Sequence, residues 1–324
     1  MAGATNLVKK FRNKLRHLAI GHLTFEHQDL QKELEQLKLM IGKHEARMIA
    51  EKTYKNIQQA EFKVFSQFGS DGIVQYLIQK VKIEDKSFIE FGVGDYSESN
   101  TRFLLMNNNW RGLIIDLDDS HIKYLHDNLG KDIFYRHNIT AIKKRITSKN
   151  VNETFTENGY TGDIGLMCLD IDSIEFWILE AISTVSPRIL IVEYNSTFGS
   201  EYSVTVPNKE NFDREKEHFS HLYFGASLSA LVSLARKKGY VFVGSNSAGT
   251  DAFFLRKDVA KGFVELSAKE GYVEGKFRES FNKQGEMTYI SSHRKRLELI
   301  RSKKVYDITS KQTKTIAEVY GLKG

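Results

Sequence analysis

The stretch Phe88-Ile89-Glu90-Phe91-Gly92-Val93-Gly94-Asp95 constrains this chain more than any other. A short apolar run reads as a buried strand, ends in an acid, and runs into two glycines one residue apart, with a helix expected soon after. Glycines there let backbone approach a ligand closely, and strand carboxyl ends are where open α/β sheets bind ligands. A dinucleotide fingerprint needs a third glycine three residues on, but Ser97 stands there. No Lys-Ser/Thr follows, which excludes a P-loop. The next strand-like run, Trp110 to Asp116, ends in an acid 26 positions after Glu90. Such an acid can accept both ribose hydroxyls of a nucleoside, or it can cap the helix expected at 119–129, a task open also to Asp118 or Asp119.

The rest of the chain extends this pattern. Strands are expected at Ser87–Phe91, Gly112–Asp116, Ile133–Arg136, Ile164–Asp170, Ile189–Glu193, Tyr240–Ser245 and Ala252–Arg256. Helical stretches fall near 71–81, 99–107, 119–129, 174–184 and 225–238. Apolar strands alternating with helices predict an α/β fold, a Rossmann-like, doubly wound, mostly parallel sheet.

The ends differ from the middle. Residues 1–22 carry five Lys/Arg and no acid, and residues 294–324 carry a net +6, so a total of +6 leaves the middle at −5. An acidic middle argues against a nucleic-acid groove. Leu7, Phe11, Leu15 and Leu18 form the apolar side of a basic amphipathic helix, suited to packing or to peripheral contact with an anionic membrane. Leu30, Leu34, Leu37, Ile41, His44 and Met48 form a short heptad seam, which suggests a coiled coil supporting a homo-oligomer. We therefore expect a helical appendage at 1–55, a catalytic domain at 56–258, and a charged, helical C-terminal extension at 259–324. Cys168 is the single cysteine, which excludes a disulfide framework and a cysteine zinc site and fits a reducing compartment. No run approaches the ~20 apolar residues of a spanning helix, and the chain reads as cytoplasmic, with peripheral attachment to the inner face of a membrane as the variant.

The blocks SQFGSD (66–71), FIEFGVGD, SNT (99–101) and NWRGLIID resemble the FkbM-type class I methyltransferases. The resemblance continues through LDID (169–172), PRILIVEYN (187–195), YFGASLSAL (223–231), KKGY (237–240) and SNSAGTDAFFL (245–255). It covers roughly 62–258, and it looks closest to bacterial members associated with surface-polysaccharide synthesis. It implies S-adenosylmethionine as cofactor and O-methylation of a sugar hydroxyl on a glycan or nucleotide-sugar acceptor. Carried over by position, Glu90, Gly92, Gly94 and Asp95 surround the methionine and ribose portion, Asp116 holds the ribose hydroxyls, and Asn138 lies near the adenine. Asp170 sits by the sulfonium, with Gln67 and Asn100 as further pocket residues. Two departures are Tyr96, where methyltransferases often have glycine, and Ser173-Ile174 after LDID.

On the acceptor side, Asp170 and Asp172 end one strand while Glu193 and Asn195 end its expected neighbour. The set resembles the divalent-metal site of metal-dependent O-methyltransferases, with Asp172, Glu193 and Asn195 as ligands for an ion such as Mg²⁺. Hydrogen bonding to the cofactor, to one another or to a sugar is the alternative. Histidine titrates near neutrality, which makes His218 and His221, in a polar lid-like segment at 199–222, candidate general bases. Asp172 or Glu193 acting directly competes with them. Tyr194, Tyr202, Phe219, Tyr223 and Phe224 could stack on a sugar ring or pack the core. A nicotinamide-dependent sugar-modifying enzyme and an inactive methyltransferase-fold scaffold are the rival readings.

Overall fold

The computed structural model describes residues 29–129 and 135–322, so the basic helix expected within 1–28 lies outside the described residues. Five parallel strands form the centre of the main sheet: β1 (Ser87–Phe91), β2 (Arg111–Asp116), β3 (Ile139–Lys143), β4 (Gly162–Leu169) and β5 (Val185–Glu193). A two-residue strand β6 (Val204–Thr205) follows, and then the hairpin of β7 (Tyr240–Ser245) and β8 (Asp251–Arg256). The seven-stranded order is β3-β2-β1-β4-β5-β8-β7, in which β8 alone runs opposite to the other six. This is the Rossmann-like, mostly parallel α/β architecture expected from the strand pattern. The order reverses between β1 and β4, which opens a crevice at their carboxyl ends.

The strands read as continuous apolar runs because both faces are covered. Ile89, Phe91, Leu113, Met167, Leu169, Leu190 and Val192 fill one core layer. Their sequence neighbours Phe88, Ile114, Leu166, Cys168, Ile189 and Ile191 fill the other. That alternation is the two-residue period of a strand packed on both sides. β3 is the exception, an edge strand with only Ile139 buried. It lies at Ile139–Lys143 rather than at Ile133–Arg136, and residues 135–136 are helical. An edge strand carries a weaker apolar signal than the Ile133–Tyr135 run that precedes it.

The helices flank this sheet. Residues 29–50 form helix α1, followed by α2 (Ser70–Lys80), α3 (Arg102–Asn108), α4 (Asp119–Tyr124), α5 (Val151–Glu157) and α6 (Glu175–Ala181). On α1, Ala46 and Ile49 are buried, a Cβ on Gly42 would meet Val64 and Phe103, and Glu35 pairs with Arg102 at 2.9 Å. The expected heptad seam lies on another side, and Leu30, Leu34, Leu37, Ile41 and Met48 are about half exposed. Among the described residues no helix is long and apolar enough to cross a membrane.

The expected helical extension at 259–324 is largely something else. After the short α7 (Arg214–Glu217) and α8 (Leu228–Lys237), it contributes α9 (Ala268–Gly271), α10 (His293–Leu299), the hairpin β9 (Lys304–Asp307) with β10 (Gln312–Thr315), and α11 (Ile316–Tyr320). β9 pairs with β6, so the tail is stitched into the body of the fold. Its Lys and Arg are spread over short helices, a hairpin and loops, which charge alone does not distinguish from one long helix.

Candidate active site

The site is a cleft along the carboxyl edge of the sheet, made of two adjoining cavities of about 520 and 570 Å³. Both are within the usual range for small-molecule sites. Gly92, Gly94, Asp170, Asp172 and Arg214 line both.

Gly92 and Gly94 have φ of +71° and +54°, which favours glycine at each, but their surroundings differ. A Cβ on Gly92 would lie 1.7 Å from the Asp170 carbonyl oxygen, so this glycine allows β1 and β4 to close together. A Cβ on Gly94 would meet nothing within 4 Å, because it points into open cleft. The Gly94 N–H donates to Asp116 at 2.8 Å, and the other Asp116 oxygen takes the Asp118 N–H at 2.8 Å and faces His121 Nδ1 at 3.2 Å. Asp118 caps α4 through the Ser120 N–H. Capping is thereby assigned to Asp118, and Asp116 is left at the cleft wall. The turn continues through Tyr96, whose φ of +61° is the backbone state a glycine would adopt. Complete burial and a 3.0 Å bond between its hydroxyl and Thr101 hold it there.

Glu90 is spent on its own loop. It accepts from Ser99 Oγ at 2.5 Å, from the Asn100 N–H at 2.8 Å, and from both groups of Thr101. Burial raises its pKa while these bonds oppose the rise. The loop carrying Gln67 and Phe68 is held likewise, since Asp71 accepts from the backbone of Val64, Phe65 and Ser66. Gln67, Asp95 and Asn100 line the cleft. Asn138 does not. It precedes β3 at the amino edge of the sheet, where its carbonyl accepts from Gly112 N–H at 2.9 Å. The shifted strand moves the post-β3 position to Lys144, Arg145 and Ile146, which do line the cleft.

At the other end, the carboxyl ends of β4 and β5 bring the buried acids Asp170 and Glu193 together in the cleft wall. Burial pushes both well above the carboxylate range, with Asp172 and Asp251 raising Asp170 further and Asp170 and Asp172 raising Glu193 further. Glu193 Oε2 is left buried without a donor from the described protein. Asp172, at φ +54°, receives Arg214 Nη1 at 2.5 Å, while Arg214 Nη2 reaches Glu279 at 2.6 Å. Arg214 thus ties the end of β4 to the C-terminal segment across the 199–222 loop. Glu175 accepts the Ile171 and Ser173 N–H groups and shapes the Ser173-Ile174 turn. Burial raises its pKa to about 7.

The metal expectation fails on this geometry. Asn195 gives its amide to the Leu222 and Phe224 carbonyls and its oxygen to the Thr197 N–H, so it fastens a turn. Asp172 is engaged by Arg214, and among the described residues no three His, Cys, Asp or Glu side chains are placed to hold a metal. The histidines separate too. His221 lines the cleft, 4.4 Å from the Phe281 ring, and its buried Nδ1 has no partner. His218 lies outside it, with Nδ1 2.7 Å from Ser220 Oγ, and burial lowers its pKa. Of the aromatics, Tyr194 and Phe224 line the cleft, Tyr223 bonds the Lys304 carbonyl, Tyr202 packs on Tyr320, and Phe219 packs on His218. Sequence reasoning missed His121, Arg214, Phe277, Glu279 and Arg296, all of which line the cleft. Only Arg214 carried a signal, as the one arginine in an acid-rich loop.

No family model and no curated protein matches the chain. Solved structures of similar fold include the carbon methyltransferase CurJ (9% identity, TM-score 0.36), matched over 62% of this chain and 57% of that one. PKMT2 from Rickettsia typhi in complex with AdoHcy matches at 10% identity and TM-score 0.40, over 61% and 55% of the two chains. An O-methyltransferase described as putative from Nostoc punctiforme matches at 14% and 0.37, over 57% and 55%. The likeness is one of fold, and it spans little more than half of each of these three proteins.

Proposed function

We propose that the protein is an S-adenosylmethionine-dependent O-methyltransferase of the FkbM type, acting on a sugar hydroxyl of a bacterial surface glycan or its precursor. The observation that carries this reading is the pairing of an open nucleoside cradle with a buried pair of acids, Asp170 and Glu193, in one cleft. The cradle fits the cofactor, because Gly94 faces empty space and Asp116 presents a carboxylate beside it. S-adenosylmethionine, when bound, supplies an electrophilic methyl group on a cationic sulfur. Asp116 is the group to receive the ribose hydroxyls, and the Gly94 backbone leaves room for the sugar. At the far end, Asp170 and Glu193 are the acids to face the sulfonium, whose positive charge would favour their ionised forms. The acceptor hydroxyl must lose a proton as the new C–O bond forms. Glu193 Oε2 and His221 Nδ1, both without partners, are the atoms able to take it. Arg214 closes the chamber by bridging Asp172 and Glu279, which orders the 199–222 loop over the acceptor and excludes water.

The test is calorimetry with S-adenosylmethionine, its demethylated product and NADH, followed by methyl transfer to nucleotide sugars and glycan intermediates. Binding of the first two without NADH supports the reading. Absence of affinity for either sinks it. The outward stripe of α1 supports a further part of the proposal, pairing with a second copy of the chain. Light scattering should show an oligomer that Leu34→Glu with Ile41→Glu dissociates.

A further inference from the structure

Burying a charged side chain costs several kcal/mol unless it is paired, and arginine cannot escape by losing its proton. Three arginines are buried among the described residues, Arg102, Arg188 and Arg296. Two follow the rule. Arg102 pairs with Glu35 at 2.9 Å, and Arg188 with Asp163 at 2.5 Å. Arg296, on α10, does not. It is 3% exposed, yet no carboxylate of the described residues lies within 4 Å of it. Glu279, in the same wall, is already held by Arg214, and Glu298 by Arg301. Glu274 is near enough to favour its charge but too far to pair, and Arg278 opposes it.

Its hydrogen bonds show where the missing partner belongs. Nε donates to the Ile290 carbonyl at 2.8 Å, and Nη2 to the Phe277 carbonyl at 2.9 Å. These bonds fix the plane of the guanidinium and leave Nη1 without a protein acceptor. Nη1 is also absent from the sealed, unbonded polar atoms, so it retains an opening, and the cavity that Arg296 lines is the acceptor chamber. Ser196, Thr197 and Gly275 line the same chamber and bring no negative charge. A fixed guanidinium edge with two free N–H bonds, in a wall whose Glu279 is already taken by Arg214, is built for an oxyanion.

We propose that Arg296 forms an oxyanion subsite in the acceptor chamber, so that the acceptor carries a phosphate or carboxylate as well as the hydroxyl to be modified. Naming the ligand as the acceptor rests on the methyltransferase reading; the anion site itself does not. The chamber then has two poles, the acid pair Asp170–Glu193 at the carboxyl edge of β4 and β5 and Arg296 of α10 in the C-terminal wall. An anionic acceptor can enter only with its charge toward Arg296 and its neutral hydroxyl toward the acids, which orients it before reaction.

The experiment titrates three probes, glucose 1-phosphate, glucuronate and glucose, into protein saturated with S-adenosylhomocysteine, and repeats the titrations with Arg296→Gln and Arg296→Lys. At least one charged probe should bind about tenfold or more tighter than glucose, and the stronger of the two identifies phosphate or carboxylate as the source. Arg296→Gln should abolish the preference and Arg296→Lys retain part of it, with S-adenosylhomocysteine affinity within about twofold of the parent. Equal affinity for all three probes overturns the proposal, as does a preference that survives Arg296→Gln. If Arg296→Gln unfolds, the wild-type contrast and the lysine variant decide. If S-adenosylhomocysteine fails to bind while the free protein still prefers an anionic probe through Arg296, the methyltransferase reading falls and the anion site stands.

Discussion

The cofactor half of the cleft takes Glu90, Gly92, Gly94, Asp116 and His121 from one uninterrupted strand-helix-strand-helix run. The acceptor half takes Asp170 from the end of β4, Glu193 from β5, Arg214 from α7, and Glu279 and Arg296 from the C-terminal segment. The first half is held by backbone geometry: two left-handed glycines, a capped helix, and carboxylates accepting main-chain N–H groups. The second is held by charge, through a buried pair of acids and one arginine spanning two others. Backbone-built sites fail by unfolding or by losing shape, whereas charge-built sites fail by changing protonation or by opening.

Gly92→Ala should show the largest effect and is the hardest test of the first half. Its methyl meets backbone that neither β1 nor β4 can move cheaply, so a loss of about 3 kcal/mol or more is expected in thermal or denaturant unfolding. A stable Gly92→Ala protein would break the contrast. Asp116→Asn should cost less stability than Gly92→Ala, about 1–3 kcal/mol for the lost main-chain bond, and weaken S-adenosylhomocysteine binding about 10- to 100-fold by calorimetry, because an amide cannot accept at both atoms. Arg214→Gln should do the converse, lowering turnover about tenfold while cofactor affinity changes less than about twofold. Equal losses in both would mean that the halves are not separable.

Glu175 sharpens the charge-built side through pH. Its folded pKa of about 7 stands above the ordinary 4.5, so the folded state holds the proton more tightly than the unfolded chain does. Stability from this group is therefore full below about pH 4.5 and declines as pH rises through about 7. Glu175→Gln keeps an acceptor for Ile171 and Ser173 and should flatten that part of the stability–pH curve, by on the order of 1–3 kcal/mol. An unchanged slope would show that the proton resides elsewhere in the acid cluster. The smallest effect is expected for His218→Gln, with turnover within about twofold, against a loss of about tenfold or more for His221→Gln.

The same contrast explains what could be read in advance. Local chemistry leaves local marks, so FIEFGVGD and RGLIID disclosed the strand ends, the turn and the acid at 116 without knowledge of the fold. The β3 error shows the limit, because an edge strand packed on one face has no strong apolar run to give it away. That slip alone misplaced Asn138, which a shift of a few residues carried to the opposite edge of the sheet. The metal set failed for another reason. Strand ends place Asp172, Glu193 and Asn195 near one another, but only the fold shows that carbonyls of residues 222 and 224 claim Asn195 and that Arg214 claims Asp172. Arg296 and Glu279 lie outside any recognisable block, and what gives them meaning is the company they keep across the cleft.

The stitching of β9 onto β6 has a bearing on how the molecule comes into being. Synthesis runs from amino to carboxyl end and domains tend to organise as they emerge. The main sheet and its nucleoside cradle are complete in sequence by Arg256, whereas Glu279, Arg296 and β9 follow later. A nascent chain therefore acquires the means to hold a cofactor before it has a wall against which to seat an acceptor, and the order of assembly repeats the division of labour in the finished cleft.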